Sequence, residues 1–324
     1  MRLLRYHFVG NGWSYELQDF QGQQTPPYAI LSHTWGPDDD EVSYQDVKNG
    51  TGLGKAGWSK IEFCIARANE ENIQWIWVDT CCIDKSSAVE LSEAINSMFR
   101  WYHNSAICYA YLEGSFEYSR WWTRGWTLQE LLAPRRVEFY SDLVHCGSKQ
   151  ELGDYIQSHF GIPTSALCNA PLSGFSVEDR LSWAQNRQTK REEDAAYSML
   201  GIFNVSMPII YGEGRTKAYN RLFEAIDHEA RNRQLDSRYS KYLPSAEQPD
   251  LQTELASRER PIGDPQVSIP AFSSQRDSLR EGVAWDASHQ RWLQTCWSDR
   301  YQRHYRNHYV QESGWAFLDW CDGS

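Results

Sequence analysis

Short apolar runs alternate with amphipathic stretches from residue 28 to residue 141. YAILSH (28–33) has the pattern of a buried strand, opened by the Pro26-Pro27 break and closed by Trp35-Gly36-Pro37. After a polar, glycine-rich loop, Trp58, Ile61, Ile65 and Ala68 share one face of a helix. IQWIWVD (73–79) predicts a second buried strand, ending in an acid. Ser87 with Glu90 three residues later is a capping-box signature, and Leu91, Ile95, Met98, Phe99 and Tyr102 continue at helical spacing. AICYAYL (106–112) predicts a third strand, WTLQELLA (126–133) a short helix stopped by Pro134, and RRVEFYS (135–141) a fourth strand.

Strands separated by helices of this length pair in parallel through right-handed crossovers, so the pattern predicts an open parallel sheet with helices on both faces. Ligands of such sheets sit beyond the carboxyl ends of the strands. Here those ends are 32–35, 79–83 and 113–115, with the Trp126/Glu130 segment close behind. The chain then divides into a lead segment (1–27), an α/β domain (28–145) and a helical C-terminal extension (146–232), in which EEDAAYSMLGIF and RTKAYNRLFEAI flank the turn MPIIYGEG. Residues 233–283 turn polar, with Arg258-Glu259-Arg260-Pro261 and Pro265 typical of a linker. The last stretch, 284–324, holds Trp285, Trp292, Trp297, Trp315 and Trp320 with no clean period and predicts no particular fold.

Charge and cysteine usage narrow the chemistry. With 32 Lys+Arg against 43 Asp+Glu, the net charge of -11 disfavours a grip on nucleic acid and favours small-molecule or protein partners. Eight cysteines without repeating spacing, two of them adjacent at Cys81-Cys82, read as reduced and intracellular. The N-terminus lacks the apolar core of a signal peptide, and no window approaches the roughly 18 apolar residues of a spanning helix, so the expectation is a cytoplasmic protein without a membrane anchor. No metal site is expected: Cys81-Cys82 has no C-x-x-C partner, and His304/His308 lack the glutamate of H-E-x-x-H. GLGKAG (52–57) matches G-x-G-x-x-G, with Asp79 at the spacing of a dinucleotide fingerprint, but the preceding EVSYQDVKNG is too polar for the strand that motif needs. A Walker loop fails as well, because Ala56 follows Gly54-Lys55.

Trp126 and Glu130 stand at i, i+4, which puts a carboxylate beside an indole near the sheet edge, a possible active-site acid. The same residues also read as a cap: Thr127-x-x-Glu130 is a capping box, and Trp126 with Leu131 a hydrophobic staple. Asp79 is either an acceptor for loop N–H groups or a ligand contact, His33 a packing residue or a base, and Arg124 a solvated charge or a phosphate contact. Trp35 and Trp126 are by default core residues.

Three ordered blocks, AILSHTWG (29–36), WIWVDTCCIDK (75–85) and SRWWTRGWTLQELLAPR (119–135), resemble the fungal heterokaryon-incompatibility (HET) domain. RLSWAQNRQTKREEDAAYSMLGIF and YGEG resemble that family's usual extension, so the likeness covers residues 28 to about 228. The resemblance implies a role in nonself recognition and cell death. It further implies distant kinship with Toll/interleukin-receptor (TIR) domains, hence a flavodoxin-like sheet and, in some members, cleavage of NAD at the nicotinamide-ribose bond by a glutamate in a Trp-x-x-x-Glu context. Trp126 to Glu130 fits that context. On this reading Glu130 stabilises the ribosyl cation, Trp126 shields it and stacks on a flat ring, Ser32, His33 and Trp35 line the ribose or phosphate region, Asp79 accepts from a hydroxyl and Arg124 meets a phosphate. NAD is then a substrate with no resident cofactor, and self-association or other death-signalling proteins are the implied partners. The alternatives are a non-catalytic homotypic signalling module and, third, a dinucleotide-binding oxidoreductase.

Overall fold

The computed structural model describes the backbone of residues 1–9, 12–20 and 25–239 and four strand segments between 283 and 320, with side chains described for 1–6, 15–20 and 25–231. The chain divides into two units, Met1–Ser237 and Arg238–Ser324.

The first unit begins with an antiparallel hairpin of β1 (Arg2–Val9) and β2 (Gly12–Asp19). Then follow β3 (Tyr28–His33), α1 (Tyr44–Lys48), α2 (Trp58–Glu70), β4 (Trp75–Trp77), α3 (Ala88–His103), β5 (Ile107–Leu112), α4 (Thr127–Leu132), β6 (Val137–Ser141) and β7 (Val144–Ser148). The strands form one sheet in the order β2-β1-β4-β3-β5-β6-β7. Its centre, β4-β3-β5-β6, is parallel. Both flanks are antiparallel, so the expectation of a wholly parallel sheet is corrected to a mixed one. The N-terminal flank comes from residues read as a lead segment. They are pulled into the fold by Leu3 and Leu4, both fully buried, and by the pairing of Leu4 with Ile76 across β1 and β4.

Strand alternation assigns the two faces of the sheet. Tyr109 and Tyr111 of β5 meet Phe63 of α2 edge-on. The preceding Cys108 turns the other way, its thiol toward the Glu130 carbonyl of α4. Trp77 of β4 packs on Trp101 and Tyr102 of α3, on the α4 side. Helices therefore cover both faces, α2 on one and α3 with α4 on the other. The start of α3 departs from a full capping box. Ser87 accepts from the Glu90 N–H at 3.3 Å, but the Glu90 carboxylate is drawn to Arg2 of β1 (2.7 Å) and the Asp84 N–H (2.7 Å).

Six helices follow the sheet: α5 (Gly153–Phe160), α6 (Thr164–Leu167), α7 (Val177–Ser182), α8 (Asp194–Tyr197), α9 (Leu200–Phe203) and α10 (Arg215–Tyr239). No Gly or Pro interrupts residues 227–239, so α10 runs past the expected start of the polar linker at 233. The remainder of that linker, 240–282, lies outside the described residues. α9 crosses α3 so closely that a Cβ on Gly201 would lie 2.0 Å from the Phe99 Cβ. Gly201→Ala must push two helices apart, and a loss of about 3 kcal/mol is expected in urea denaturation. A variant as stable as its parent would show that the crossing is loose.

In the second unit, β8 (Val283–Asp286), β9 (Arg291–Ser298), β10 (Arg303–Val310) and β11 (Gly314–Trp320) form an antiparallel sheet in the order β11-β10-β9-β8. His304 and His308 lie on β10, where extended backbone holds positions four apart at roughly 13 Å rather than one helical turn. Among the described residues of the chain, no helix is long and apolar enough to cross a membrane.

Candidate functional site

β3 lies between β4 and β5, so the chain leaves β3 through α2 in one direction and returns from β4 through α3 to its other side. The carboxyl end of β3 is thus a topological switch point, the place where sheets of this kind bind their ligands. Ser32 and His33 stand there on opposite faces, Ser32 toward α4 and His33 toward α2.

On the α4 face, Glu130 is only 6% exposed. Its Oε2 accepts a hydrogen bond from the hydroxyl of Ser32, 98 residues earlier in the chain. Ser32 in turn accepts from the Trp121 indole N–H at 2.7 Å, so its own proton is committed to the carboxyl. The Tyr102 hydroxyl, which donates to the Leu31 carbonyl at 3.0 Å, also lies against this group. Burial pushes the Glu130 carboxyl up to about 8; the nearby negative Asp79 adds to the rise, while Ser32, Tyr102 and Arg187 oppose it. Arg187 is itself buried and lowered to about 10 by desolvation, with Glu130 pulling the other way. Two further tethers hold α4 in place. The Arg187 guanidinium donates to the Thr127 hydroxyl (2.7 Å) and the Arg124 carbonyl (2.9 Å) at its start. At its end the fully buried Lys149 ammonium donates to the carbonyls of Leu131 and Pro134.

On the α2 face a second buried polar array surrounds His33. Its Nε2 lies 3.6 Å from Glu41 Oε2. Burial alone would raise Glu41, but His33, the Gly36 N–H and Lys60 together hold it down at about 2. Lys60 donates to the Thr34 carbonyl (2.9 Å) and pairs with Glu41 (3.1 Å) and Glu113 (2.9 Å). His33 Nδ1 is buried without a hydrogen-bond partner, 3.9 Å from Asp79 Oδ1. The other Asp79 oxygen accepts from the Trp35 indole at 2.9 Å. Because Asp79 feels both His33 and Glu130, it links the two arrays over the strand ends.

Of the residues singled out in the sequence, Ser32 and Glu130 are in direct contact, and His33, Trp35 and Asp79 form the adjoining group. Trp126 stands apart from the Ser32 contact. Its indole serves Asp194, whose carboxyl burial raises despite bonds from Tyr211 and Trp126. The indole nearest the Glu130 network is Trp121. The capping reading of Glu130 is overturned. α4 has Trp126 at its N-cap with no side-chain cap, so Thr127 falls inside the helix and its hydroxyl turns back to the Trp121 (2.6 Å) and Arg124 (2.9 Å) carbonyls. The GLGKAG loop follows the helix α1 rather than a strand, which removes the context of a dinucleotide fingerprint. Sequence reading missed Tyr102, Trp121, Arg187, Glu41 and Lys60, which come from five separate segments with no shared local pattern. Three cavities, of about 850, 380 and 340 Å³, are not lined by Glu130, and the largest opens at the opposite ends of the strands beside Tyr28 and Ala106. Among the described residues no cluster has the makings of a metal site.

Residues 28–119, which hold β3 to β5 and stop short of Glu130, match the profile of the family described as Heterokaryon incompatibility protein (HET). Over 226 residues the chain is 50% identical to Vegetative incompatibility protein HET-E-1 of Podospora anserina; the match covers 64% of this chain and 17% of that protein. The chain thus corresponds to a small part of that relative's length. No solved structure matches it significantly. Residues 28–119, and with them the first two of the ordered blocks, are thus similar to the heterokaryon incompatibility (HET) family.

Proposed function

We propose that this chain acts in heterokaryon incompatibility, as a cytoplasmic effector of fungal nonself recognition and cell death, and that it does so by cleaving NAD at the nicotinamide-ribose bond. The observation that carries the reading is the Glu130 carboxyl, buried at the switch point and bonded by Ser32. The order of the four parallel strands, second-first-third-fourth in chain order, is that of a flavodoxin-like sheet and supports kinship with TIR domains. In the reaction the C1′–N bond breaks with its electron pair leaving on the pyridine nitrogen. Water adds at C1′ and a proton is released, giving nicotinamide and ADP-ribose.

The transition state carries positive charge on the ribose, and a carboxylate beside it supplies the needed stabilisation. An empty site keeps Glu130 protonated at neutral pH, and the positive nicotinamide ring drives off that proton on entering, since an adjacent cation favours the ionised form. On this reading Trp126 offers a flat surface for a ring and Trp35 lines the ribose and phosphate region. The unpartnered His33 Nδ1, 3.9 Å from Asp79 Oδ1, supports a ribose hydroxyl as the group the two would share once the strand ends part, accepting from one and donating to the other. Self-association of the chain completes the site from a neighbouring copy.

Concentrated full-length protein incubated with NAD is expected to release nicotinamide, and Glu130→Gln to abolish the release while the chain stays folded. kcat/KM should rise with pH through about 8, following ionisation of Glu130 in the free enzyme. The low exposure of Glu130 favours a second reading, a non-catalytic module in which this carboxyl only pins α4 to β3. No nicotinamide at any protein concentration, or equal turnover by Glu130→Gln, would decide for it.

A further inference from the structure

Two cations, Lys85 and Arg120, lie against Trp35, whose indole N–H is given to Asp79, and a third, Arg124, stands near Arg120; among the described residues none of the three pairs with a carboxylate within 4 Å. The Lys85 ammonium sits 3.6 Å from the centroid of the Trp35 ring. Arg120 donates one N–H to the Trp35 carbonyl at 3.4 Å. The guanidinium of Arg124, four residues on, makes no hydrogen bond or ion pair among the described residues, although its backbone is tightly held. Arg187 and Thr127 both donate to the Arg124 carbonyl, and Arg124 bridges to Gln188. Arg124 is half-buried, and desolvation together with the like charge of Arg120 weighs against its charged form, with Asp194 and Glu130 opposing. None of the three takes part in an ion pair among the described residues, in a protein of net charge -11 that pairs Lys60 and Arg221 at 3.1 Å or less.

Arginine offers a planar fork of N–H donors that matches phosphate oxygens in pairs, and lysine a point charge. A diphosphate laid across Trp35 would pair with all three cations and remove the repulsion between Arg120 and Arg124. We infer that Lys85, Arg120 and Arg124 form a diphosphate-binding rim, which seats the phosphates of a nucleotide whose ribose end points to Glu130. The inference deepens the proposed function and rests on it only for the direction of the ribose. Binding of the phosphates does not require that any bond be cleaved.

Calorimetric titration of the full chain tests it, with ADP, inorganic pyrophosphate and adenosine as probes. ADP and pyrophosphate should bind, adenosine at least 100-fold more weakly than ADP, and ADP affinity should fall as NaCl is raised. The double variant Arg120→Ala/Arg124→Gln should weaken ADP by about 100-fold, taking each arginine as roughly tenfold. Lys85 and Arg120 have exposed side chains, so Lys85→Ala and Arg120→Ala test the rim without threatening the fold, each weakening ADP several-fold. That pattern with no release of nicotinamide from NAD would leave the rim standing and remove only the cleavage reaction. The rim is overturned if the unsubstituted chain binds neither ADP nor pyrophosphate, if adenosine binds as tightly as ADP, or if the double variant binds ADP unchanged.

Discussion

Glu130→Gln is expected to stabilise the protein at pH 8.5 by on the order of 5 kcal/mol, and to leave its stability at pH 4.5 within about 1 kcal/mol of the parent. The carboxyl has an ordinary value near 4.3 in the unfolded chain and is pushed up to about 8 in the fold by burial. The folded state therefore holds the proton more tightly than the unfolded state. Stability from this group is complete below about pH 4, declines by about 1.4 kcal/mol per pH unit, and is gone once pH passes 8. Glutamine imitates the neutral acid at every pH and so lacks the decline. Lys149, lowered by burial to about 8, contributes the opposite slope above that pH, but it is common to both proteins and cancels in their difference. Urea denaturation at pH 4.5, 6.5 and 8.5 supplies the test. Parallel profiles for the two proteins would mean that Glu130 is well solvated in the native chain. A residue whose replacement stabilises the fold while removing turnover is held in place for chemistry at the expense of stability.

The elements that could be read from the sequence are those whose local pattern and tertiary role agree. YAILSH is apolar throughout because both faces of β3 are covered, and every one of its residues is buried. Ile61, Ile65 and Ala68 lie one helical turn apart because α2 has a single apolar stripe, and all three are buried. The N-terminal hairpin was hidden by its mixed composition: Arg2 and Arg5 interrupt the apolar positions. A signal was nonetheless present in Gly10-Asn11, a dipeptide favoured between the strands of a hairpin, which in the sequence separates the paired Val9 and Gly12.

The candidate site was legible only in part, for a physical reason. Glu130 and Ser32 could be found because position at a strand or helix end is itself a local property. What makes Glu130 unusual is its surroundings, and these are tertiary. Tyr102 arrives from the end of α3, Trp121 from the turn before α4, and Arg187 from the segment between α7 and α8. No spacing rule connects them. The capping reading failed by a single residue of helix register: with Trp126 rather than Thr127 at the cap, the same side chains point inward, to β3 instead of the helix start. Gly125 and Gln188 share a backbone hydrogen bond of 2.9 Å, so the stretch beyond the sheet is built into the same site.

Removal of residues 1–20 is expected to cost roughly 4 to 6 kcal/mol, a large share of the 5 to 15 kcal/mol that holds most domains together. The family match begins at residue 28, which makes the hairpin appear dispensable, yet three interactions argue otherwise. Leu3 and Leu4 are both 0% exposed, and burying each is worth about 1.5 to 3 kcal/mol. β1 covers the edge of β4 through Leu4–Ile76 and Arg5–Trp75, and Phe20 packs edge-on against Trp75 at 5.2 Å. Arg2 joins Glu90 at the start of α3 and donates to the Cys82 carbonyl, so the hairpin also steadies the loop that follows Asp79. Without it, the three-residue β4 becomes an open edge with Ile76 uncovered, an invitation to aggregate. The trimmed chain should give low soluble yield and a lower urea midpoint, whereas Arg2→Ala, which removes the ion pairs to Glu90 and Asp19 and the bond to Cys82 but leaves Leu3 and Leu4 in place, should cost about 1 kcal/mol. A trimmed chain with the parent's midpoint would mean that β4 closes the sheet unaided. The hairpin would then be an addition to the fold rather than one of its walls.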